Sequence, residues 1–177
     1  MYEVEVKCRA DHDAVRARLS ELGADRRETV EQTDTYYDAP HREFAETDEA
    51  LRVRREGDAT TRLAYKGPLV EDASKTREEH ETAVADAQAV RGILDGLGFA
   101  PAAVVEKRRE VYGYAGYTVV LDDVADLGEF VEVETEAGEA AIDDAREGAF
   151  ELLRELGLDP GDQIRTSYLG ILLEDSQ

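Results

Sequence analysis

The start of the chain alternates between charged and apolar side chains. Glu3, Glu5 and Lys7 occupy odd-numbered positions, and Val4 and Val6 occupy even-numbered ones, so the two sets differ in parity. Because successive side chains of a β-strand point to opposite faces, this pattern predicts a strand with one charged and one apolar face. Taken alone, it is also typical of any surface strand with a solvated side. The pattern becomes informative only if other strands repeat it.

Further segments repeat the alternation and are joined by short connections. Two of these connections, Gly57-Asp58 and Ala115-Gly116, are typical of tight β-hairpin turns. A run of eight strands with short connections favours antiparallel pairing and a closed barrel. The predicted strands are Met1–Arg9, Asp25–Asp38, Ala50–Glu56, Thr60–Gly67, Lys75–Val84, Ala103–Tyr114, Tyr117–Asp122 and Glu129–Glu136.

Four helices are predicted between and after these strands, from apolar residues at helical spacing and from glycines that follow three of them. In the second helix, Val90, Ile93, Leu94 and Leu97 form the expected buried stripe. The fold class expected is α+β: an eight-stranded antiparallel closed β-barrel with flanking helices, built as a single domain from residues 1–177. The predicted helices are His12–Leu22, Asp86–Leu97 (capped by Asp86), Ala140–Leu156 and Gln163–Leu173.

The acidic composition narrows the classes of partner. The chain carries 42 acidic and 21 basic residues, a formal net charge of −21. Such a surface repels nucleic-acid phosphates and anionic lipids, so neither is an expected partner. No apolar run is long enough to span a membrane, and the chain opens on a charged strand, so a cytoplasmic protein is expected. The acidic, lysine-poor surface resembles that of halophilic proteins.

Cysteine and histidine offer little for chemistry. Cys8 is the only cysteine and shares the parity of Val4 and Val6, which predicts a small buried hydrophobic residue. The three histidines follow no ligand spacing, so a zinc site is not expected.

Charged residues of the other strands fall at matching parity, so a barrel that closes with these faces inward would gather them in its lumen. Unpaired buried charge is very costly, which favours a hydrated tunnel over an ordinary core. Its bases would bind a polyanion, and its carboxylates a hard cation such as Mg²⁺ or Mn²⁺. The predicted lumen bases are Lys7, Arg52, Arg54, Lys66, Arg77, Lys107 and Arg109, and the predicted lumen acids are Glu3, Glu5, Glu79, Glu81, Asp122, Glu132 and Glu134.

The few lysines support this interpretation. Only four are present, and three of them, Lys7, Lys66 and Lys107, fall on the predicted lumen face. An ammonium group meets a single phosphate oxygen as a point charge, whereas a guanidinium offers a planar fork. The presence of both lysine and arginine on this face predicts a site for several phosphates. Chance placement of so few lysines is the alternative.

In their joint order, these segments resemble the CYTH superfamily, the triphosphate tunnel metalloenzymes named for class IV adenylyl cyclases and thiamine triphosphatases. The resemblance covers essentially the whole chain. Residues 38–55 and the Arg-x-Ser-Tyr of residues 165–168 are most similar to the class IV (CyaB-type) adenylyl cyclase group. The shared motifs are Glu-x-Glu-x-Lys (3–7), QTDTYYD (32–38), LRVR (51–54), YKGP (65–68), Lys-x-Arg (107–109), LDDV (121–124) and GEFVEVE (128–134).

The resemblance implies an eight-stranded tunnel that binds a triphosphate and a divalent metal, Mg²⁺ or Mn²⁺, and it suggests a homodimer. The implied metal-side carboxylates are Glu3, Glu5, Asp122, Glu132 and Glu134. The implied phosphate ligands are Lys7, Arg52, Arg54, Lys66, Lys107 and Arg109, to which parity adds Arg77. Among these residues, Glu5, Lys7 and Arg54 are the expected catalytic set.

Three functions stay open at this point. The first is a class IV adenylyl cyclase, which converts ATP to 3′,5′-cyclic AMP and pyrophosphate; the group resemblance favours it slightly. The second is a triphosphatase that hydrolyses inorganic tripolyphosphate, a nucleoside triphosphate or thiamine triphosphate. The third is a non-catalytic polyanion-binding module, against which the retained carboxylates weigh, because anion binding alone needs no metal ligands.

Overall fold

Eight antiparallel strands close into a barrel, which confirms the predicted fold class. The structure is a computed structural model that describes residues 1–58 and 60–175. Around the barrel the order is β1-β5-β4-β3-β2-β6-β7-β8, and β8 pairs back onto β1. The strands are β1 Tyr2–Arg9, β2 Asp25–Asp38, β3 Ala50–Glu56, β4 Thr60–Leu69, β5 Lys75–Val84, β6 Ala100–Tyr114, β7 Tyr117–Val124 and β8 Gly128–Ala137.

Five helices flank the barrel: α1 His12–Glu21, α2 Phe44–Thr47, α3 Ala87–Gly96, α4 Ile142–Glu155 and α5 Tyr168–Asp175. The short helix α2 lies in a segment expected to be only turns. The last predicted helix starts later than expected, because its first residues serve another purpose. The backbone N–H of Ile164 donates to the carbonyl of Lys7 at 2.7 Å, which keeps this stretch beside β1. Within the described ranges, no helix is both long and apolar enough to cross a bilayer.

The outer faces of β1, β7 and β8 pack beneath α1 and α4. Val6 and Val133 of the barrel meet Leu19 of α1 and Leu153 of α4, and all four are fully buried. Cys8 lies in the same cluster with 1% of its surface exposed, as its parity predicted. Burial, with smaller contributions from two nearby aspartates, raises the pKa of its thiol to about 11. Cys8 therefore acts as a packing residue.

Helix α3 covers the outer face of β2 and β3 with a narrower stripe than predicted. Val90 and Leu94 are buried against Tyr37. Ile93 and Leu97 are instead 60% and 64% exposed, so the prediction was wrong for these two residues. A short helix resting on the convex outside of a barrel contacts it along a thin line, which leaves the edges of the apolar stripe in water.

One end of the lumen is apolar and closed by α5. Val105, Val124 and Phe130 each lie two positions along their strands from a charged lumen residue, so they point inward too. Tyr168 and Ile171 of α5 pack onto them. The lumen therefore changes from charged to apolar at this end, where the C-terminal helix seals it.

Candidate active site in the barrel lumen

The charged part of the lumen forms a cavity of about 1480 Å³. This exceeds the roughly 300–1,000 Å³ of most small-molecule pockets. All seven bases predicted to bind substrate line it, as do four of the five predicted metal-side carboxylates; the fifth, Asp122, lies behind Arg109. The lining bases are Lys7, Arg52, Arg54, Lys66, Arg77, Lys107 and Arg109, and the four acids are Glu3, Glu5, Glu132 and Glu134.

Three carboxylates form an acidic cluster on β1 and β8. The pairing of these strands sets Glu5 directly opposite Glu134, with Glu3 two residues away on the same face. One oxygen from each of the three lies within 4.8 Å of the others. Burial, and then the neighbouring Glu3, raise the pKa of Glu134 to about 8.

The acidic cluster fits a divalent cation. Its three carboxylates supply the hard oxygen ligands that Mg²⁺ and Mn²⁺ prefer. The raised pKa of Glu134 reports the cost of crowding like charges in a buried place, and a divalent cation would relieve that cost.

Two lysines already face this acidic cluster. Lys66 Nζ donates to Glu3 Oε2 at 2.8 Å, and Lys75 Nζ donates to Glu5 Oε1 at 2.9 Å. Burial alone would raise the pKa of Glu3, but Lys66, Glu79 and Lys75 together lower it to about 2.

Lys75 was not among the predicted site residues. It shares the parity of Arg77 and Glu79 along β5, and this is the sequence signal that identifies it. All four lysines of the chain therefore line the cavity.

On the opposite wall, Asp34 organises two of the predicted phosphate ligands. Arg54 donates to both of its carboxylate oxygens, at 2.7 and 2.8 Å, and Lys107 Nζ donates at 3.1 Å. Asp34 is fully buried. Burial would raise its pKa, but Lys107 and Arg54 outweigh that effect and hold the pKa well below the usual range.

Sequence reasoning missed Asp34 as a site residue, although it lies inside the QTDTYYD motif. Its charge on the same strand face as Gln32 and Tyr36 was the available signal, and the structure sets it directly opposite Arg54.

Asp122 plays a similar part for Arg109. The two residues are opposite one another on β7 and β6, and the guanidinium donates to both carboxylate oxygens at 2.7 Å. The hydroxyl of Tyr168 adds a third bond, to Asp122 Oδ2 at 2.9 Å.

The structure therefore does not bring Asp122 into the acidic cluster with the predicted metal ligands. The direct register with Arg109 is the physical reason. Glu132 also lies outside that cluster, with an oxygen 3.8 Å from Arg109.

Arg52 and Arg77 line the cavity but are engaged by the protein. Arg52 donates to Glu81 at 2.9 Å. Arg77 donates to the backbone carbonyls of Asp48 and Gly67, at 2.8 and 2.7 Å, and so ties the turn before β3 to strand β4. Of the predicted phosphate ligands, Arg77 is the one with the clearest structural task.

Lys7 differs from every other lysine in the cavity. Its side chain is fully buried, and among the described residues its Nζ meets no hydrogen-bond acceptor. Burial, and then repulsion from Lys75, lower its pKa to about 7. Buried donors without a partner are rare in folded proteins, so they point to a ligand. Lys7 lies between the acidic cluster and the bases Arg54, Lys107 and Arg109, which we call the basic wall. This position suits an anion.

Comparisons with known proteins agree with this geometry. A sequence model of the CYTH domain matches residues 1–168. A Methanocaldococcus jannaschii protein named "Putative adenylate cyclase MJ0240" is 37% identical over 171 residues, which cover 96% of this chain and 97% of that protein.

Solved structures share the barrel. The PH1819 protein of Pyrococcus horikoshii is 38% identical, with a TM-score of 0.90 over 98% of this chain and 99% of that one. The Hippeastrum protein HpAC1, an adenylyl cyclase candidate described as having a dominant triphosphatase activity, is 18% identical. Its TM-score is 0.68 over 98% of this chain and 95% of its own, and at this identity the likeness concerns the fold.

The family match spans nearly the whole chain, and the lumen carries the charged residues that the shared motifs contribute. The chain therefore belongs to the CYTH family.

Proposed function

We propose that this chain is a divalent-metal-dependent enzyme acting on triphosphates, and that it converts ATP to 3′,5′-cyclic AMP and pyrophosphate. One observation carries the proposal: a single cavity sets the acidic cluster of Glu3, Glu5 and Glu134 against a wall of lysines and arginines. The name of the Methanocaldococcus jannaschii relative supports the choice of ATP.

The basic wall would hold the triphosphate. Arg54, Lys107 and Arg109 are oriented by buried carboxylates, so they offer preorganised positive charge at little reorganisation cost. Lys7 would donate to a phosphate oxygen with its unpaired ammonium group. Positioning and charge neutralisation carry most of the rate enhancement in phosphoryl chemistry.

The acidic cluster would hold the metal, Mg²⁺ or Mn²⁺. A cation bound there would polarise phosphoryl oxygens and favour ionisation of the attacking hydroxyl. Lys66 and Lys75, which pair with Glu3 and Glu5, would then be free to turn toward phosphate oxygens. Glu5, as a ligand, and Lys7 and Arg54, as phosphate-binding groups, are the residues on which we expect turnover to depend.

For cyclisation, the ribose 3′-oxygen attacks the α-phosphorus and pyrophosphate leaves. The cavity also has less charged lining, including Tyr36, Ala103 and Leu169, where a nucleoside would lie beside the phosphate-binding wall.

A triphosphatase is the second candidate. Bases that hold phosphate and an acidic cluster that holds metal would serve hydrolysis as well as cyclisation, because water then replaces the ribose hydroxyl as the nucleophile. HpAC1, whose fold is shared, is described as having a dominant triphosphatase activity. The same cavity would then direct water, in place of a ribose hydroxyl, at a terminal phosphoryl group.

Product analysis separates these functions. The protein is incubated with ATP, and separately with tripolyphosphate, in molar salt with Mg²⁺ or Mn²⁺, and products are identified by ³¹P NMR and chromatography. Cyclic AMP with pyrophosphate supports the cyclase. Orthophosphate without cyclic AMP contradicts the cyclase and supports the triphosphatase. Tight binding without turnover favours the non-catalytic polyanion-binding module.

A matched pair of variants tests the metal assignment. Glu5→Gln removes one carboxylate of the acidic cluster and should abolish turnover. Glu28→Gln makes the same change on an exposed part of β2 and should leave turnover intact. Full activity of Glu5→Gln would show that the metal assignment is wrong. A homodimer and a cytoplasmic location stay predictions.

A further inference from the structure

Lys7 is held in an unusual way. Lys66, Lys75 and Lys107 each donate to a carboxylate, whereas the Nζ of Lys7 lies 4.0 Å from the ring centroid of Tyr168. The Nζ of Lys107 is farther from the same ring, at 5.2 Å. An ammonium at that distance is attracted to the negative face of the aromatic ring. The ring accepts no conventional hydrogen bond from it, so the N–H groups of Lys7 that point away from the ring stay available to a ligand.

The hydroxyl of the same tyrosine reaches the other wall of the cavity. It donates to Asp122 Oδ2 at 2.9 Å, and Asp122 in turn holds Arg109 through both carboxylate oxygens. Tyr168 is 5% exposed and packs edge-on against Phe130, with ring centroids 5.0 Å apart. Its ring is therefore held in place by the apolar cluster that closes this end of the lumen.

We propose that Tyr168 is a positioning residue for triphosphate binding. Its ring keeps the Lys7 ammonium aimed into the cavity, and its hydroxyl fixes the Asp122–Arg109 pair. The proposal rests on the proposed function, because it assumes that Lys7 and Arg109 bind phosphate.

The physical advantage lies in the neutrality of the ring. A carboxylate beside Lys7 would compete with phosphate for the same N–H groups, as Glu3 and Glu5 would for those of Lys66 and Lys75. An aromatic face orients the ammonium without such competition. Tyr168 belongs to α5, outside the barrel strands. The helix that seals the lumen therefore also orients a phosphate-binding side chain, Lys7.

The test measures the binding of inorganic tripolyphosphate by isothermal titration calorimetry. A chelator removes divalent metal, so that turnover plays no part. Tyr168→Leu removes the ring and should weaken binding about two- to thirtyfold, the range expected for a cation–π contact. Tyr168→Phe keeps the ring, so its affinity should lie closer to that of the wild type. Equal losses in the two variants would overturn the role of the ring.

Two controls separate positioning from general structural damage. Ile171→Ala disturbs the same apolar cluster without touching Lys7; an equal loss of affinity there would show that Tyr168 merely packs. In a Lys7→Met background, the difference in affinity between Tyr168→Leu and Tyr168→Phe, which isolates the ring from the hydroxyl, should be much smaller than in the wild type. Additive effects in this double-mutant cycle would contradict the proposal.

The outcome is distinct from that of the product assay. If the wild type binds tripolyphosphate but makes no product from any triphosphate, the proposed enzyme function fails while the double-mutant cycle still decides the role of Tyr168. If the wild type does not bind tripolyphosphate under these metal-free conditions, the proposal for Tyr168 fails, whereas the product assay, which supplies the metal, still decides the proposed enzyme function.

Discussion

At the scale of single residues, the cavity depends on buried, ionised carboxylates whose charge is balanced by neighbouring bases. Asp34 and Asp122 are fully buried, and each accepts two hydrogen bonds from one guanidinium. Removing one partner from such a pair leaves an uncompensated buried charge, which costs more than the intact pair contributes. These two aspartates therefore serve the site through the arginines that they orient.

Replacing Asp34 tests this dependence. Asp34→Asn leaves Arg54 and Lys107 without their shared counterion, so the free energy of unfolding should fall by about 3–5 kcal/mol. The measurement is denaturant unfolding at neutral pH. Asp58→Asn, at an exposed pair 4.0 Å from Arg55, should change the free energy of unfolding by less than about 0.5 kcal/mol. Similar values for the two variants would contradict the assignment.

The loss of unfolding free energy in Asp34→Asn should depend on pH, because it follows from the pKa of Asp34. Because that pKa is lowered in the folded protein, the carboxylate stabilises the fold at neutral pH. Its contribution is lost as the pH falls through the lowered value. The difference between wild type and variant should therefore shrink in strong acid and persist at neutral pH.

Lys107 predicts proton uptake on ligand binding. Its pKa is lowered to about 8 by burial and by the neighbouring Arg54 and Arg109. A bound polyanion favours the ammonium form and raises that pKa, so binding of tripolyphosphate near pH 8 should take up protons. Calorimetry in two buffers of different ionisation enthalpy measures this uptake.

Lys107→Arg is the control for proton uptake, because a guanidinium stays protonated throughout. The variant should take up fewer protons on binding. The remaining uptake would occur at Lys7, whose pKa is lowered to about 7. Proton release in the wild type would contradict the prediction.

At the scale of secondary-structure elements, the register of β1 against β8 creates the acidic cluster, and α5 closes the apolar end of the lumen. Ile171 and Tyr168 of this helix insert between Val105, Val124 and Phe130. Helix α3 on the outside contributes less, since half of its apolar stripe faces water. The two helices therefore differ in what they add to the stability of the barrel.

The same substitution on the two helices measures this difference. Ile171→Ala removes a side chain that is 8% exposed and should lower the free energy of unfolding by about 2–4 kcal/mol. Ile93→Ala removes one that is 60% exposed and should change it by less than about 0.5 kcal/mol. Denaturant unfolding of both variants makes the comparison, and equal costs would show that α5 is not a packed closure.

At the scale of the whole molecule, a larger share of the basic residues than of the acidic residues lines the cavity, where ten of the 42 acids lie. Nine of the 21 basic residues line the cavity: Lys7, Arg52, Arg54, Lys66, Lys75, Arg77, Lys107, Arg109 and Arg165. The rest of the chain must then carry the net charge of −21 largely on its outer surface. Self-repulsion on such a surface destabilises the compact state, and salt screens it.

Concentrated salt should therefore stabilise the protein. Raising KCl from about 0.1 M to about 2 M should increase the free energy of unfolding by at least about 1 kcal/mol, or roughly 2–4 °C in Tm. Thermal unfolding followed by circular dichroism, in the presence of a chelator, measures the effect of screening apart from that of divalent ions. A Tm that falls with salt would contradict the interpretation of the surface as halophilic.

The sequence by itself determined which side of each strand is charged. Alternation is a local property of an extended chain, so Glu3, Glu5 and Lys7 could be assigned to one face without knowledge of their neighbours. Short connections between the strands made antiparallel closure the favoured arrangement, and the resemblance to the CYTH family implied that the charged face lines the lumen. The barrel and most of the candidate site followed from these two arguments.

Only the tertiary structure decided which of these charges meet. Glu5 and Glu134 lie on strands at opposite ends of the chain, and their contact depends on the register of β1 with β8. Register likewise directs Asp122 to Arg109 and away from the acidic cluster. The packing of α5 places Tyr168 against Lys7. Parity along a strand is set by neighbouring residues, whereas ion pairs across a barrel are set by contacts between distant segments.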